Sequence, residues 1–133
     1  RWDFSLQILS PICRQTGMLG MALEFRLVNG SEVTIEQQVD DCVEAYVYIL
    51  EKYGKACADR VYLCGESGGA ALAMLALVEI KNRASIPQPR GVVAMSPICD
   101  ISLEAKDAKS IAECEEYDII KVVACTKAFQ VAA

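Results

Sequence analysis

The apolar positions of this chain fall into alternating helical and extended runs. From Phe4 to Arg14, Leu6, Ile8, Leu9 and Ile12 are spaced as on a helix. Pro11 interrupts that run and Thr16-Gly17 breaks it, so a short helix, or the end of one, is expected here. Met18 to Phe25 is mostly apolar and reads as a strand buried on both faces. Asn29-Gly30-Ser31 is turn chemistry and predicts a loop over 26–34. Thr34 has the character of an N-cap, and Gln37 three residues on completes a capping box. Val39, Cys42, Val43, Tyr46, Val47, Leu50 and Tyr53 then follow at the i, i+3, i+4, i+7 spacing of an amphipathic helix. Asp40, Asp41, Glu44 and Glu51 take its other face, and Gly54 ends it.

The second half continues the alternation. Arg60 to Cys64 predicts a strand, and Gly65 to Gly69 a tight glycine-rich turn. Ala70 to Ile80 is apolar nearly all round, the mark of a buried helix, and Lys81-Asn82-Arg83 closes it. Ile86-Pro87-Gln88-Pro89 is a stiff connector to a further strand, Gly91 to Met95, which Ser96-Pro97 ends. Beyond Asp100 the pattern is more charged, with a surface helix expected from Glu104 to Lys109 and an apolar helix over Ile119 to Ala132. Alternating helices and strands predict an α/β fold. Its core is a parallel sheet with helices on both faces, and a strand, a sharp turn and a helix occupy 60–82. No repeat, low-complexity segment or linker divides the chain, so residues 1–133 read as one domain or part of one.

Composition narrows the class. Of 133 residues 53% are hydrophobic, which argues against disorder. The net charge is −5, and no basic stripe exists to release counterions, so no nucleic-acid partner is expected. No apolar run reaches the length of a transmembrane segment, and Arg1-Trp2-Asp3-Phe4 does not open a signal peptide. The seven cysteines, Cys13, Cys42, Cys57, Cys64, Cys99, Cys114 and Cys125, form no C-x-x-C pair. There is no histidine to complete a zinc site, so neither metal nor cofactor is expected. Scattered at apolar positions, the cysteines read as reduced core thiols of a cytoplasmic protein.

The candidate chemistry lies at Gly65-Glu66-Ser67-Gly68-Gly69. A strand leads into this Gly-x-Ser-x-Gly pattern and a helix leaves it, which is the setting of a nucleophile elbow. The turn is so tight that the positions two residues either side of the serine, Gly65 and Gly69, cannot carry bulk. Ser67 is the candidate nucleophile. The backbone N–H of Gly68, at the helix N-terminus, would face an oxyanion formed there. Glu66 is expected to brace the turn through a local hydrogen bond. A bland alternative is that Ser67 merely caps the helix. A serine nucleophile needs a base tuned near neutral pH, usually histidine, and these 133 residues contain none.

Four stretches together resemble the α/β-hydrolases, specifically the hormone-sensitive-lipase-like carboxylesterases. They are Leu23-Glu24-Phe25-Arg26-Leu27, Asp40-Asp41-Cys42-Val43-Glu44-Ala45-Tyr46, the run Asp59 to Gly69, and Gly91-Val92-Val93-Ala94-Met95-Ser96-Pro97 with Asp100. They occur in the family's order over 4–104. The resemblance implies a partial α/β-hydrolase fold, hydrolysis of a small acyl ester through Ser67, and half of an oxyanion hole at Gly68. The family's His-Gly-Gly-Gly loop would precede Arg1, and its catalytic Asp and His would follow Ala133. The chain therefore reads as a central segment, with the rest of the domain or a partner chain needed to cover the sheet edges. By itself it is expected to be inactive and prone to aggregate. Val28-Asn29-Gly30-Ser31-Glu32 stands where the family has Ala-Pro-Glu after Arg-Leu, and Gly-Glu-Ser-Gly-Gly where Gly-Asp-Ser-Ala-Gly is usual. Asp100, just past a strand end, is a weak candidate acid, with Asp118 weaker still. The competing reading is a degenerate relative of these enzymes that serves as a non-catalytic binding or interaction domain.

Overall fold

The computed structural model describes residues 2–27 and 32–99. The expectations for Asp100, for Asp118 and for the helices over 104–109 and 119–132 lie outside them. The described elements are α1 (Trp2–Thr16), α2 (Ile35–Tyr53), a 3₁₀ turn (Lys55–Arg60), β1 (Tyr62–Glu66), α3 (Gly68–Asn82) and β2 (Gly91–Met95).

The helix ends follow the local signals. α1 runs through Pro11 and stops where Gly17 adopts φ 71° and its N–H donates to the Cys13 carbonyl at 2.9 Å. That is the left-handed glycine cap, satisfying a carbonyl the helix leaves open. α2 starts at the capping box read from the sequence. Thr34 Oγ1 accepts from the Gln37 N–H at 3.3 Å, and the Thr34 N–H donates to Gln37 Oε1 at 3.0 Å. Gly54, at φ 84°, ends it.

β1 and β2 pair in parallel with Tyr62 opposite Gly91 and Glu66 opposite Met95. α3 packs on both strands and α2 packs on α3. The core lies between them and comprises Val43, Tyr46 and Leu50 of α2, Cys57 and Ala58 of the 3₁₀ turn, and Ala76 and Ile80 of α3. Val61, Leu63 and Ile86 pack against it from the strand side and the connector. Tyr46 is fully buried but keeps its hydroxyl satisfied, donating to the Pro87 carbonyl at 2.8 Å. This ties the stiff connector before β2 to α2.

Four expectations change. The 18–25 run forms no strand. Met18, Met21 and Leu23 are exposed, and Leu19 is 90% exposed. A strand exists only where a neighbour accepts its ladder, and among the described residues the sheet has two strands, 62–66 and 91–95. The segment is held instead by side chains. Gly20 lies against Leu9 and Cys13 of α1, and Arg26 is clamped to α2. Secondly, α3 is buried on one side only. Ala70, Leu72, Ala73, Ala76 and Ile80 are buried, while Met74, Leu75 and Val78 remain exposed. Thirdly, Tyr53 at the end of the α2 stripe is exposed. Fourthly, of the five described cysteines, all free thiols, Cys57 is buried, Cys13 and Cys42 are half-buried, and Cys64 and Cys99 are exposed.

The acids of α2 do more than line a wet face. The Arg26 guanidinium grips Asp41, with Nε donating to Oδ2 at 3.0 Å and Nη2 to Oδ1 at 2.6 Å. The Arg26 backbone N–H adds a bond to Oδ2 at 2.9 Å, and the Gln38 amide donates to the Arg26 carbonyl. The Arg26 guanidinium therefore holds the Asp41 carboxyl below the usual carboxylate range. At the adjacent residue, Asp40 of α2 accepts from Arg83 at 2.7 Å, and Arg83 also donates to Glu79 of α3 at 2.8 Å, joining the two helices.

Candidate active site

The glycine-rich stretch is divided between two elements. Gly65 and Glu66 are the last residues of β1, and Gly68 and Gly69 the first of α3. Ser67 alone makes the turn, at φ 53° and ψ −121°. A side chain rarely occupies this region, so the conformation must be held from outside. Three backbone bonds hold it. The Ser67 N–H donates to the Met95 carbonyl of β2 at 2.9 Å, and the Ser67 carbonyl accepts from Ala70 at 3.0 Å and Ala71 at 3.2 Å.

Ser67 occupies the N-cap of α3, yet its side chain makes no cap hydrogen bond. A capping serine has an extended backbone and gives its hydroxyl oxygen to an N–H of the first turn. Here the backbone is turned the other way and the half-buried hydroxyl has no partner among the described residues. A simple capping role therefore does not account for it.

The glycines differ in what they are for. A Cβ on Gly65 would run into the carbonyl group of Gly69 and the backbone nitrogen of Ala70. Gly65 thus lets the first turn of α3 fold back onto β1. The Gly-x-Ser-x-Gly pattern predicts the same need at Gly69, but a Cβ there meets nothing within 4 Å among the described residues, and neither does one on Gly68. What the turn requires of position 69 is the close approach of its backbone to Gly65.

Glu66 is exposed, and its carboxylate has no hydrogen bond or ion pair among the described residues, so the expected local brace is not formed. No described side chain bonds to Ser67. Asp100 and Asp118 lie outside the described residues. Cys64, two residues before Glu66 on the same strand face, has its thiol pKa raised by burial, which keeps it protonated. Cys42 is pushed up to about 11 by burial and by the charge of Asp41. Among the described residues no three His, Cys, Asp or Glu side chains converge as metal ligands, and no helix is long and apolar enough to cross a membrane. The concavity bordered by Leu6, Gln7, Ser10, Pro11 and Arg14 runs along α1 and includes no residue of the turn.

Sequence reasoning missed one feature of this end of the sheet. Ser96, the first residue after β2, also has a positive φ, 46°. Ser-Pro after a strand signals only that the strand stops.

Comparison with known proteins gives two matches. A family model described as alpha/beta hydrolase fold matches residues 2–132. An acetyl-hydrolase of Streptomyces hygroscopicus is 36% identical over 89 residues, covering 66% of this chain and 28% of that protein. The chain thus spans little more than a quarter of that relative's length. No solved structure matches.

Proposed function

From the premise that the chain belongs to the alpha/beta hydrolase fold family, we propose that it is the central part of a serine ester hydrolase in which Ser67 is the nucleophile. The observation that carries this is the Ser67 turn: a strained residue between strand and helix, with a hydroxyl left unbonded among the described residues. The similarity to an acetyl-hydrolase supports a small acyl ester as substrate.

In this reading Ser67 Oγ attacks the ester carbonyl and its proton passes to a base. The carbonyl oxygen becomes an oxyanion, to which the Gly68 N–H at the N-terminus of α3 donates. Collapse expels the alcohol, which takes the proton, and leaves the acyl group on Ser67. Water then releases the acid and restores the serine. The 133 residues hold no histidine, so a histidine base must be contributed from elsewhere. Asp100 is kept as a weaker candidate for the acid that orients it. The same gap supports the further proposal that this stretch alone is inactive and needs the rest of its domain, or a partner chain, against its sheet. The free thiols of the described cysteines favour a reducing compartment such as the cytoplasm.

The test is labelling of the full-length protein with a serine-directed fluorophosphonate, together with turnover of short p-nitrophenyl esters. The adduct is expected on Ser67, and both label and turnover are expected to vanish in Ser67→Ala. Turnover that survives this substitution would show that another group is the nucleophile. The missing histidine favours a second reading, a non-catalytic binding domain. It predicts that the full-length protein binds an ester analogue without turning it over.

A further inference from the structure

Among the described residues, the two serines with positive φ are neighbours. Ser67, at 53°, is the first residue beyond β1, and Ser96, at 46°, the first beyond β2. The strands are parallel and end with Glu66 opposite Met95, so both serines leave the sheet at its carboxyl end. One hydrogen bond links the two exits, from the Ser67 N–H to the Met95 carbonyl at 2.9 Å.

That carbonyl belongs to the planar peptide unit joining Met95 to Ser96. Its direction is therefore set by ψ of Met95 and φ of Ser96. Pro97 follows, and a proline disfavours the right-handed helical region for the residue before it, leaving extended backbone as the ordinary choice. An extended Ser96 would carry β2 onward beside Ser67. The observed φ turns the chain out of the strand at the point where Ser67 needs its acceptor. Serine gains nothing of its own at positive φ, so the conformation answers to its surroundings.

We propose that Ser96 is a positioning residue for Ser67. Its left-handed backbone aims the Met95 carbonyl at the Ser67 N–H, and that bond fixes the strained turn in which the Ser67 hydroxyl is presented. The proposal rests on the reading of Ser67 as nucleophile. It attributes the role to the backbone of Ser96 and not to its hydroxyl, which separates it from substrate contact. Residues that accept positive φ should therefore replace serine, and β-branched residues should not.

The experiment compares Ser96→Gly, Ser96→Asn, Ser96→Ala and Ser96→Val in the full-length protein. Three quantities are read: hydrogen exchange of the Ser67 amide, the rate of Ser67 phosphonylation by a fluorophosphonate, and kcat and KM on a short p-nitrophenyl ester. In Ser96→Val, Ser67 amide exchange should be about tenfold faster, and phosphonylation and kcat about tenfold slower with KM little changed. Ser96→Ala should shift the same way by less, and it serves if the valine variant does not fold. Ser96→Gly and Ser96→Asn should behave as wild type. Exchange at Val43 and Tyr46 in the core should be unchanged throughout. The proposal is overturned if Ser96→Val and Ser96→Ala leave Ser67 exchange and phosphonylation at wild-type rates. It is overturned equally if glycine and asparagine impair both as much as valine does. Labelling that persists in Ser67→Ala would instead remove the nucleophile reading, while Ser67 amide exchange would still decide the link to Ser96.

Discussion

Replacing Gly65 by alanine adds one carbon where the backbone of α3 crosses close over β1. The new Cβ would overlap the Gly69 carbonyl group and the Ala70 nitrogen, all backbone atoms of the first turn of α3. A side chain could rotate away, but these atoms can yield only if the helix start moves. Restoring ordinary carbon contact requires a displacement of about 1 Å. The start of α3 is not free to move that far. It is held through the Ser67 carbonyl by Ala70 and Ala71, and further along through Ala76 and Ile80, which pack against α2. Overpacking of this kind costs about 3 kcal/mol when the neighbours are rigid. In urea unfolding of the full-length protein this lowers the midpoint by about 1–2 M at unchanged slope. Gly69→Ala is the control. Its Cβ meets nothing within 4 Å among the described residues, and within a helix alanine is favoured over glycine by about 0.5–1 kcal/mol. It should leave the midpoint unchanged or raise it. The reasoning fails if Gly65→Ala unfolds within about 0.5 kcal/mol of wild type, the usual scatter of harmless substitutions, or if Gly69→Ala costs as much.

Three further outcomes are expected. Ser67→Gly should abolish ester turnover yet raise stability by about 1 kcal/mol, because glycine accepts φ 53° without strain; a lower melting temperature would contradict this. Tyr46→Phe should cost about 1 kcal/mol in urea, since it deletes the 2.8 Å bond to the Pro87 carbonyl in a buried setting, and an unchanged midpoint would argue against it. Asp41→Asn should remove a pH-dependent contribution. The Arg26 guanidinium depresses the folded-state pKa of Asp41, so the stabilisation is complete above the unfolded value of about 3.9 and is lost as pH falls through the lower folded value. Wild type and Asp41→Asn should therefore differ at neutral pH and converge in acid, and a constant gap across that range would refute the assignment.

The sequence by itself determined the features written in adjacent residues. The Thr34 capping box, the helix to Tyr53, the strand from Gly91 to Met95 and the position of the Ser67 turn are legible because cap, stop and turn each depend on residues a few positions apart. Pattern alone drew Met18 to Phe25 as a strand, because apolar runs look alike whether or not a neighbour pairs with them. Only the tertiary structure decides that, and it binds Arg26 to Asp41 across fifteen positions of chain instead. It also assigned the glycines. Composition cannot separate Gly65 from Gly69, since the clash that requires Gly65 arises only when α3 folds back on β1. The positive φ of Ser96 belongs to the same class. The Met95 carbonyl before it meets the N–H of Ser67, just beyond the neighbouring strand, and no local signal in Met95-Ser96-Pro97 records that contact.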